Sequence, residues 1–365
     1  MSGKGKGREE CAGQEPSLAE LDSGWAEALL EWYRRNRRKL PWRDTGDPYH
    51  VLVSEVMLQQ TRVDTVIPYF QRFVATFPTV TALAAASEAE VLRLWTGLGY
   101  YARARRLREA ARKIAEEHRG VIPSNLDELR RLPGVGAYTA GAVASIAFGR
   151  PTPVVDGNVK RVYSRLLALE RLLTPGAWNR LAAAALTAAP GADPGDFNQA
   201  LMELGAVVCR PERPACGECP LSRYCRAFQR GIEAELPFQE GSPQSQRVEW
   251  RVFVVVRDSR FLMRERPGSQ VLTGLWEFPA VEQAGGASPP RAPVHPPQLP
   301  FPLEIEVPLG EFRHAITTRR IHAQVFRARL VGRLPDGWSW VDPWEADLPR
   351  PSWVDKVRVL LPADR

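Results

Sequence analysis

Cys209, Cys216, Cys219 and Cys225 fall within 17 residues, in the spacing C-x6-C-x2-C-x5-C. The chain has five cysteines, and the fifth, Cys11, lies in a polar N-terminal stretch. Four thiols this close restrict the fold more than any other feature, because the backbone around them has to wrap one centre. Four sulfur ligands suit a zinc ion or a [4Fe–4S] cluster, and the spacing leaves both open. A disulfide framework fits less well, since such frameworks belong to short secreted chains. This chain has 365 residues, 44% of them hydrophobic; no signal peptide is expected, and no apolar run is long enough to span a bilayer. A cytoplasmic protein without membrane contact is expected. The net charge of +7 suits a polyanionic partner.

The pattern of apolar residues divides the chain. Residues 1–16 are charged, Gly-rich and aperiodic, and are expected to be disordered. From 17 to 229 the spacing is helical, as in Leu21, Trp25, Leu29, Trp32 and Tyr33, with Pro78, Pro123, Pro133 and Pro151 as punctuation. About ten short helices are predicted. Composition shifts across 230–247, where Pro237–Gln246 reads as a linker. Beyond it, 250–257 and 260–264 read as strands joined at Asp258–Ser259, and 303–308 and 321–330 as further strands. The Pro-rich stretch 283–302 reads as a surface loop, and 354–361 as a last helix. The second region, 248–365, is thus predicted to be α+β.

Three segments of the helical region carry chemistry. Leu132–Ala140 (LPGVGAYTA) puts Gly134 and Gly136 between one helix ending near Leu132 and another starting at Ala137. Such a turn exposes backbone N–H groups at a helix start and grips a phosphate without reading sequence. Glu55 sits among Val51, Val53, Val56, Met57 and Leu58. If it faces the core, desolvation raises its pKa and suits it to act as a general acid; the alternative is a solvent-facing glutamate. Asp156 precedes the helix at Gly157, where it is either a plain N-cap or a carboxylate kept ionised by the helix dipole to face a cation. A protonated and an ionised carboxylate are the pair that glycosidic cleavage needs.

Pro41–Arg43 (PWR), Ser54–Thr61 (SEVMLQQT), Leu94–Arg105 (LWTGLGYYARAR), the hairpin, Val155–Val162 (VDGNVKRV), Phe197–Ala206 (FNQALMELGA) and the four cysteines together resemble the MutY family of adenine DNA glycosylases. That family belongs to the helix-hairpin-helix superfamily with endonuclease III, and the resemblance is strongest over 20–230. It implies an all-α, two-lobed glycosylase domain with DNA between the lobes and a [4Fe–4S] cluster on Cys209, Cys216, Cys219 and Cys225. The cluster would be structural and would present Arg210, Arg213 and Arg223 to the DNA backbone. The implied reaction is hydrolysis of the bond between adenine and its sugar, in duplex DNA where adenine faces 8-oxoguanine or guanine. Glu55 would be the acid and Asp156 the anion, with Tyr138 and Asn158 placing the sugar and Asp156. Trp42, Arg43 and Glu203 would line the adenine pocket, and Gln60 and Tyr100 would fill the gap beside the opposing base. Lyases of the superfamily carry a lysine where this chain has Tyr138, so a monofunctional glycosylase is implied. A monomer is expected, with other repair or replication proteins as further partners. A pyrimidine-mismatch glycosylase of the same superfamily and a non-catalytic, metal-stabilised DNA-binding module are the rival readings.

Leu272–Pro279 (LTGLWEFP) after two strands resembles the start of a Nudix-like domain, which in this family recognises 8-oxoguanine. The acidic magnesium-binding helix of Nudix hydrolases is replaced by EQAGGASPPRAP, so no nucleotide hydrolysis is expected. The family's lesion-sensing Phe-Ser-His corresponds to Ile316, Thr317 and Thr318, which leaves the Thr317 hydroxyl to meet the lesion, with Arg319 and His322 as other candidates.

Overall fold

The structure, a computed structural model, describes residues 17–18, 21, 24–43, 45–171, 173–237, 245–268, 272–283 and 299–362. The expected disordered tail (1–16), most of the expected linker (238–244) and the segment expected to lack the acidic helix (284–298) lie outside the described residues.

Through residue 230 the described chain is helical. It forms α1 (Trp25–Asn36), α2 (Pro48–Leu58), α3 (Val63–Thr76), α4 (Val80–Ala85), α5 (Glu88–Trp95) and α6 (Ala102–Glu117). Then come α7 (Leu126–Arg130), α8 (Ala137–Ile146), α9 (Gly157–Leu166), α10 (Pro175–Leu186), α11 (Pro194–Val207) and α12 (Arg226–Arg230). Many starts are written in the sequence. Thr79, Ser87, Asn125, Asp156, Thr174 and Asp193 each accept a hydrogen bond from a first-turn N–H, satisfying donors that the helix itself cannot. Two departures from the sequence reading have local causes. Pro68 lies inside α3, so treating proline as punctuation hides that helix. The Arg-rich first turn of α6, which opens at Ala102, likewise hides that helix's start from the apolar pattern.

Packing separates two compact units, one from residues within 1–52, 123–131 and 135–240, the other from 53–122, 132–134 and 241–365. The division falls inside α2 and not between helices and strands. In the first unit Trp25, Leu29 and Tyr33 of α1 share a core with Val162 and Tyr163 of α9, Trp178 of α10 and Phe197, Leu201 and Leu204 of α11. Cys209, Cys219 and Cys225 pack half-buried on its margin.

In the second unit, α3–α6 accompany a mixed sheet. Its described strands are β1 (Gln246–Arg257), β2 (Arg260–Glu265), β3 (Trp276–Glu277), β4 (Ala280–Gln283), β5 (Leu303–Ile316), β6 (Arg319–Leu330) and β7 (Ser339–Val341). Their order is β3-β2-β1-β6-β5, with β4 also beside β1 and β7 beside β2. β1 and β6 run parallel, whereas β5 and β6 form an antiparallel hairpin. Helix α13 (Ser352–Val359) buries Trp353, Val354 and Val357 against one face of the sheet. On the other, Phe253, Val255 and Phe326 meet Trp338, Leu299 and Phe301. Those last two correct the reading of 283–302 as surface loop throughout: Leu299 and Phe301, each followed by a proline, return the chain to the core.

Within this unit the helices and the sheet domain touch directly. Arg105 donates to the Thr273 carbonyl and to Glu88, the latter at 2.6 Å. The Tyr101 hydroxyl donates to the Arg350 carbonyl at 2.8 Å.

Candidate active site and cysteine centre

Helix α9 organises the first unit. Asp156 caps it, one carboxylate oxygen accepting from the Val159 N–H at 2.7 Å. The other accepts from the Asn158 amide at 2.8 Å, so the carboxylate is held at both oxygens. The N-cap reading of Asp156 is thus what the structure shows, and the cap fixes where the carboxylate sits. Asn158 is held in turn by Arg161, whose guanidinium donates to its amide oxygen and to the Gly205 carbonyl, both at 2.8 Å. Helix α11 can come this near because Gly205 has no side chain; a Cβ there would lie 2.6 Å from the Asn158 Cβ.

The same helix reaches the cysteines. Arg161 also donates to the Cys209 carbonyl at 2.8 Å. One turn on, Arg165, almost wholly buried, donates to the carbonyls of Arg210 (2.7 Å), Pro211 (2.8 Å) and Leu236 (2.9 Å), and to the Cys209 sulfur at 3.4 Å. Sequence reasoning missed both arginines, although VDGNVKRV and the following turn carry them. Arg210, Arg213 and Arg223 lie exposed on the cysteine loop.

The four thiols are half-buried and unbridged. Burial first, opposed by the Leu221 N–H and reinforced by the other three thiols, pushes Cys219 up to about 12, so all four lie within electrostatic reach of each other. Among the described residues, no three His, Cys, Asp or Glu side chains are placed to share one metal ion. Four sulfur donors gathered on one loop suit a zinc ion or a [4Fe–4S] cluster alike.

Glu203 of α11 is 1% exposed and lies in a fork of two arginines. Arg38 donates to it through its backbone N–H at 3.0 Å and through its side chain at 2.7 and 2.9 Å, and Arg43 donates at 2.7 Å. Burial alone would raise the Glu203 carboxyl, but the bonds from Arg38 and Arg43 outweigh it and hold the group down at about 2. Trp42, beside Arg43, is buried. Two of the three expected adenine-pocket residues are therefore bonded to each other, with Arg38 as an unforeseen third party.

The hairpin follows the motif. Gly134 takes φ +75°, open to glycine but strained for other residues, and a Cβ there would come 2.7 Å from the Arg106 Cβ. Gly136 is the N-cap of α8 with extended backbone, and Tyr138 in the first turn reaches the Met202 sulfur at 3.3 Å.

In the second unit, Glu55 lies in the buried stretch of α2 and is 6% exposed, which removes the solvent-facing alternative. Gln60, just past α2, and Tyr100, just before α6, are both exposed and both have left-handed backbone, at φ 57° and 49°. Arg103 joins their two turns. Its guanidinium donates to the carbonyls of Val56 (3.1 Å), Met57 (2.8 Å), Gln59, Leu98 (3.4 Å) and Gly99 (3.2 Å), and to the Thr61 hydroxyl at 3.1 Å. It also lies 5.4 Å from the centre of the Tyr100 ring. Burial pushes this arginine down to about 10, and the carbonyls at the negative end of α2 hold it in place of a carboxylate. Glu55 and Asp156 belong to different units, and each is placed by its own.

Thr317 and Thr318 form the turn of the β5–β6 hairpin. Thr317 is exposed at φ 52°, with its hydroxyl donating to the Ile316 carbonyl at 2.7 Å. The segment read as a lesion-sensing loop is thus strand almost to its tip. Arg319 pairs with Glu282, and His322 lies between Glu249 and Glu311, so both side chains are engaged by acids.

Helices, hairpin and sheet together define a base-excision repair protein of the helix-hairpin-helix class with a Nudix-like C-terminal domain. Residues 53–185 match the family described as HhH-GPD superfamily base excision DNA repair protein, and residues 251–357 match the NUDIX domain. The chain is 39% identical to the adenine DNA glycosylase of Rattus norvegicus, across 87% of this chain and 73% of that one. It is 44% identical to that of Mycolicibacterium smegmatis, across 63% and 80% respectively. The chain belongs to the adenine DNA glycosylase family. Among solved structures it resembles a thermostable thymine-DNA glycosylase, with TM-score 0.52 and 31% identity over 56% of this chain and 95% of that one. A trapped endonuclease III–DNA covalent intermediate shares the fold, with TM-score 0.50 and 24% identity over 57% and 95%.

Proposed function

We propose that this chain hydrolyses the N-glycosidic bond of adenine opposite 8-oxoguanine or guanine in duplex DNA, with no lyase step. The observation that carries this is Asp156, fixed at both oxygens by the Val159 N–H and the Asn158 amide, with no amine at the Tyr138 position. The adenosine would be turned out of the stack, its base held near Trp42, Arg43 and Glu203. Glu55 would give its proton to adenine N7 as the C1′–N9 bond breaks and its electron pair leaves with the base. Asp156 would face the positive sugar, or trap it transiently, until water adds at C1′ and loses a proton to a carboxylate. Gln60 and Tyr100 would fill the vacated stack, and Thr317 would meet the lesion. Gly134 and Gly136 would hold a backbone phosphate. Residues 17–229 would supply the chemistry and 248–365 the lesion recognition, joined through 230–247. Cys209, Cys216, Cys219 and Cys225 would hold a [4Fe–4S] cluster, which when bound fixes the loop bearing Arg210, Arg213 and Arg223.

The test is base release from A:8-oxoguanine, A:G, T:G and U:G duplexes, read as strand cleavage after alkali. Adenine release from the first two alone is expected. Asp156→Asn and Glu55→Gln should keep duplex binding and lose about 10²- to 10⁴-fold in release rate. The likeness to a thymine-DNA glycosylase makes pyrimidine release the second reading. Release from T:G but not from A:G would establish it instead.

A further inference from the structure

On β1 and β6, which run parallel, Arg247 stands directly opposite Arg320, and two residues on Glu249 stands opposite His322. On the other side of β6, Arg313 of β5 is also opposite His322. Residues paired across strands share a face, so the three arginines crowd one end of one side of the sheet. They line a cleft of about 640 Å³, with Lys356 at its edge donating to the Arg313 carbonyl at 2.6 Å.

Like charges directly opposite each other weaken a sheet, and a carboxylate would normally relieve them. Two are near, but both are engaged elsewhere. His322 Nδ1 meets Glu249 at 2.8 Å, and Nε2 meets Glu311 at 3.1 Å. Their hydrogen bonds raise the His322 pKa, so both carboxylates are turned to the histidine. Arg247, Arg313 and Arg320 are exposed, and among the described residues none of them meets an acidic side chain.

We propose that this cleft is a phosphodiester-binding row, which holds the backbone of duplex DNA through Arg247, Arg313 and Arg320 without reading bases. It rests on the reading of this chain as acting on duplex DNA and adds to it a contact separate from Thr317. Guanidinium groups spaced along adjacent strands, with their neutralising carboxylates withdrawn by a histidine, match a run of phosphates in charge complementarity.

The test is binding of the full chain to an undamaged duplex by fluorescence anisotropy across a series of salt concentrations. Arg247→Ala with Arg320→Ala should weaken binding about 10-fold at low salt and lower the salt slope by about 2, one per lost phosphate contact. Arg320→Lys should keep the slope, since a point charge suffices. His322→Gln removes no arginine but frees Glu249 and Glu311 to neutralise the row, and should also weaken binding. It keeps the test decisive if the double variant fails to fold. An unchanged slope in the folded double variant would overturn the proposal. So would a double variant that binds duplex normally but loses binding of free dGTP, which would make the cleft a nucleotide site. Base release plays no part in this readout, so failure of the glycosylase assay with the slope change intact would sink the function and spare the cleft.

Discussion

Two sets of arginines, one in the helical segments and one in the sheet domain, stand in opposite conditions. Arg103, Arg161 and Arg165 are buried, and their donors are spread over carbonyls and amide oxygens from several segments. Arg43 is spent on Glu203. The sheet domain holds a comparable fork, in which Arg264 and Arg266 bond the buried Glu277. Its other basic end, Arg247, Arg313 and Arg320, is exposed, and among the described residues none of the three meets an acidic side chain. The contrast teaches that an arginine's role follows from what its donors meet. A guanidinium whose donors end on fixed carbonyls sets geometry, and costs stability when lost. One whose donors end in water sets a field, and costs almost nothing to the fold.

That distinction can be broken by measurement, beginning where it predicts most. Glu203→Ala should cost roughly 3–5 kcal/mol in denaturant unfolding, because it strands the buried Arg43 charge. The pH dependence follows from the same fork. Glu203 is depressed from the usual 4.5 to about 2, so its stabilisation is fully present above pH 4.5 and is lost as pH falls toward 2. A variant with wild-type acid unfolding would contradict the assignment. Arg103→Met should cost about 3 kcal/mol or more, since it leaves several buried carbonyls without a donor. It should also loosen the Gln60 and Tyr100 turns, visible as faster amide exchange there. Gly134→Ala, which forces a Cβ into left-handed backbone against Arg106, should cost roughly 1–2 kcal/mol. At the far end, the Arg247→Ala and Arg320→Ala pair should leave the unfolding midpoint unchanged, or raise stability by up to about 1 kcal/mol as a like-charge pair disappears. A large destabilisation there would erase the contrast.

What the sequence disclosed was local. The N-cap at Asp156, the glycine turn at 134–136 and the apolar setting of Glu55 are properties of a few adjacent residues, and the structure keeps all three. What it withheld was made of contacts between distant segments. Nothing near Arg103 announces that it would satisfy the end of α2, and nothing near Glu203 points to Arg38. The parallel pairing of β1 with β6 is hidden for the same reason, and with it the arginine row, since neither strand shows which residues will face which. Thr317 was legible as a position but not as the tip of a two-residue turn, because the polar run at 317–320 reads as loop whether or not the backbone is paired.

The bond from Tyr101 to the Arg350 carbonyl, with Arg105 on the Thr273 carbonyl, has a cooperative meaning. Residues 53–122 and the sheet domain should behave as one foldon, opening together in native-state hydrogen exchange and not as separate modules. Deleting the sheet domain would then do more than remove the lesion contact proposed for Thr317. It would unfasten the turn that carries Tyr100 and lower the protection of α5 and α6, so that a truncated chain turns over more slowly even on a substrate with no lesion to read.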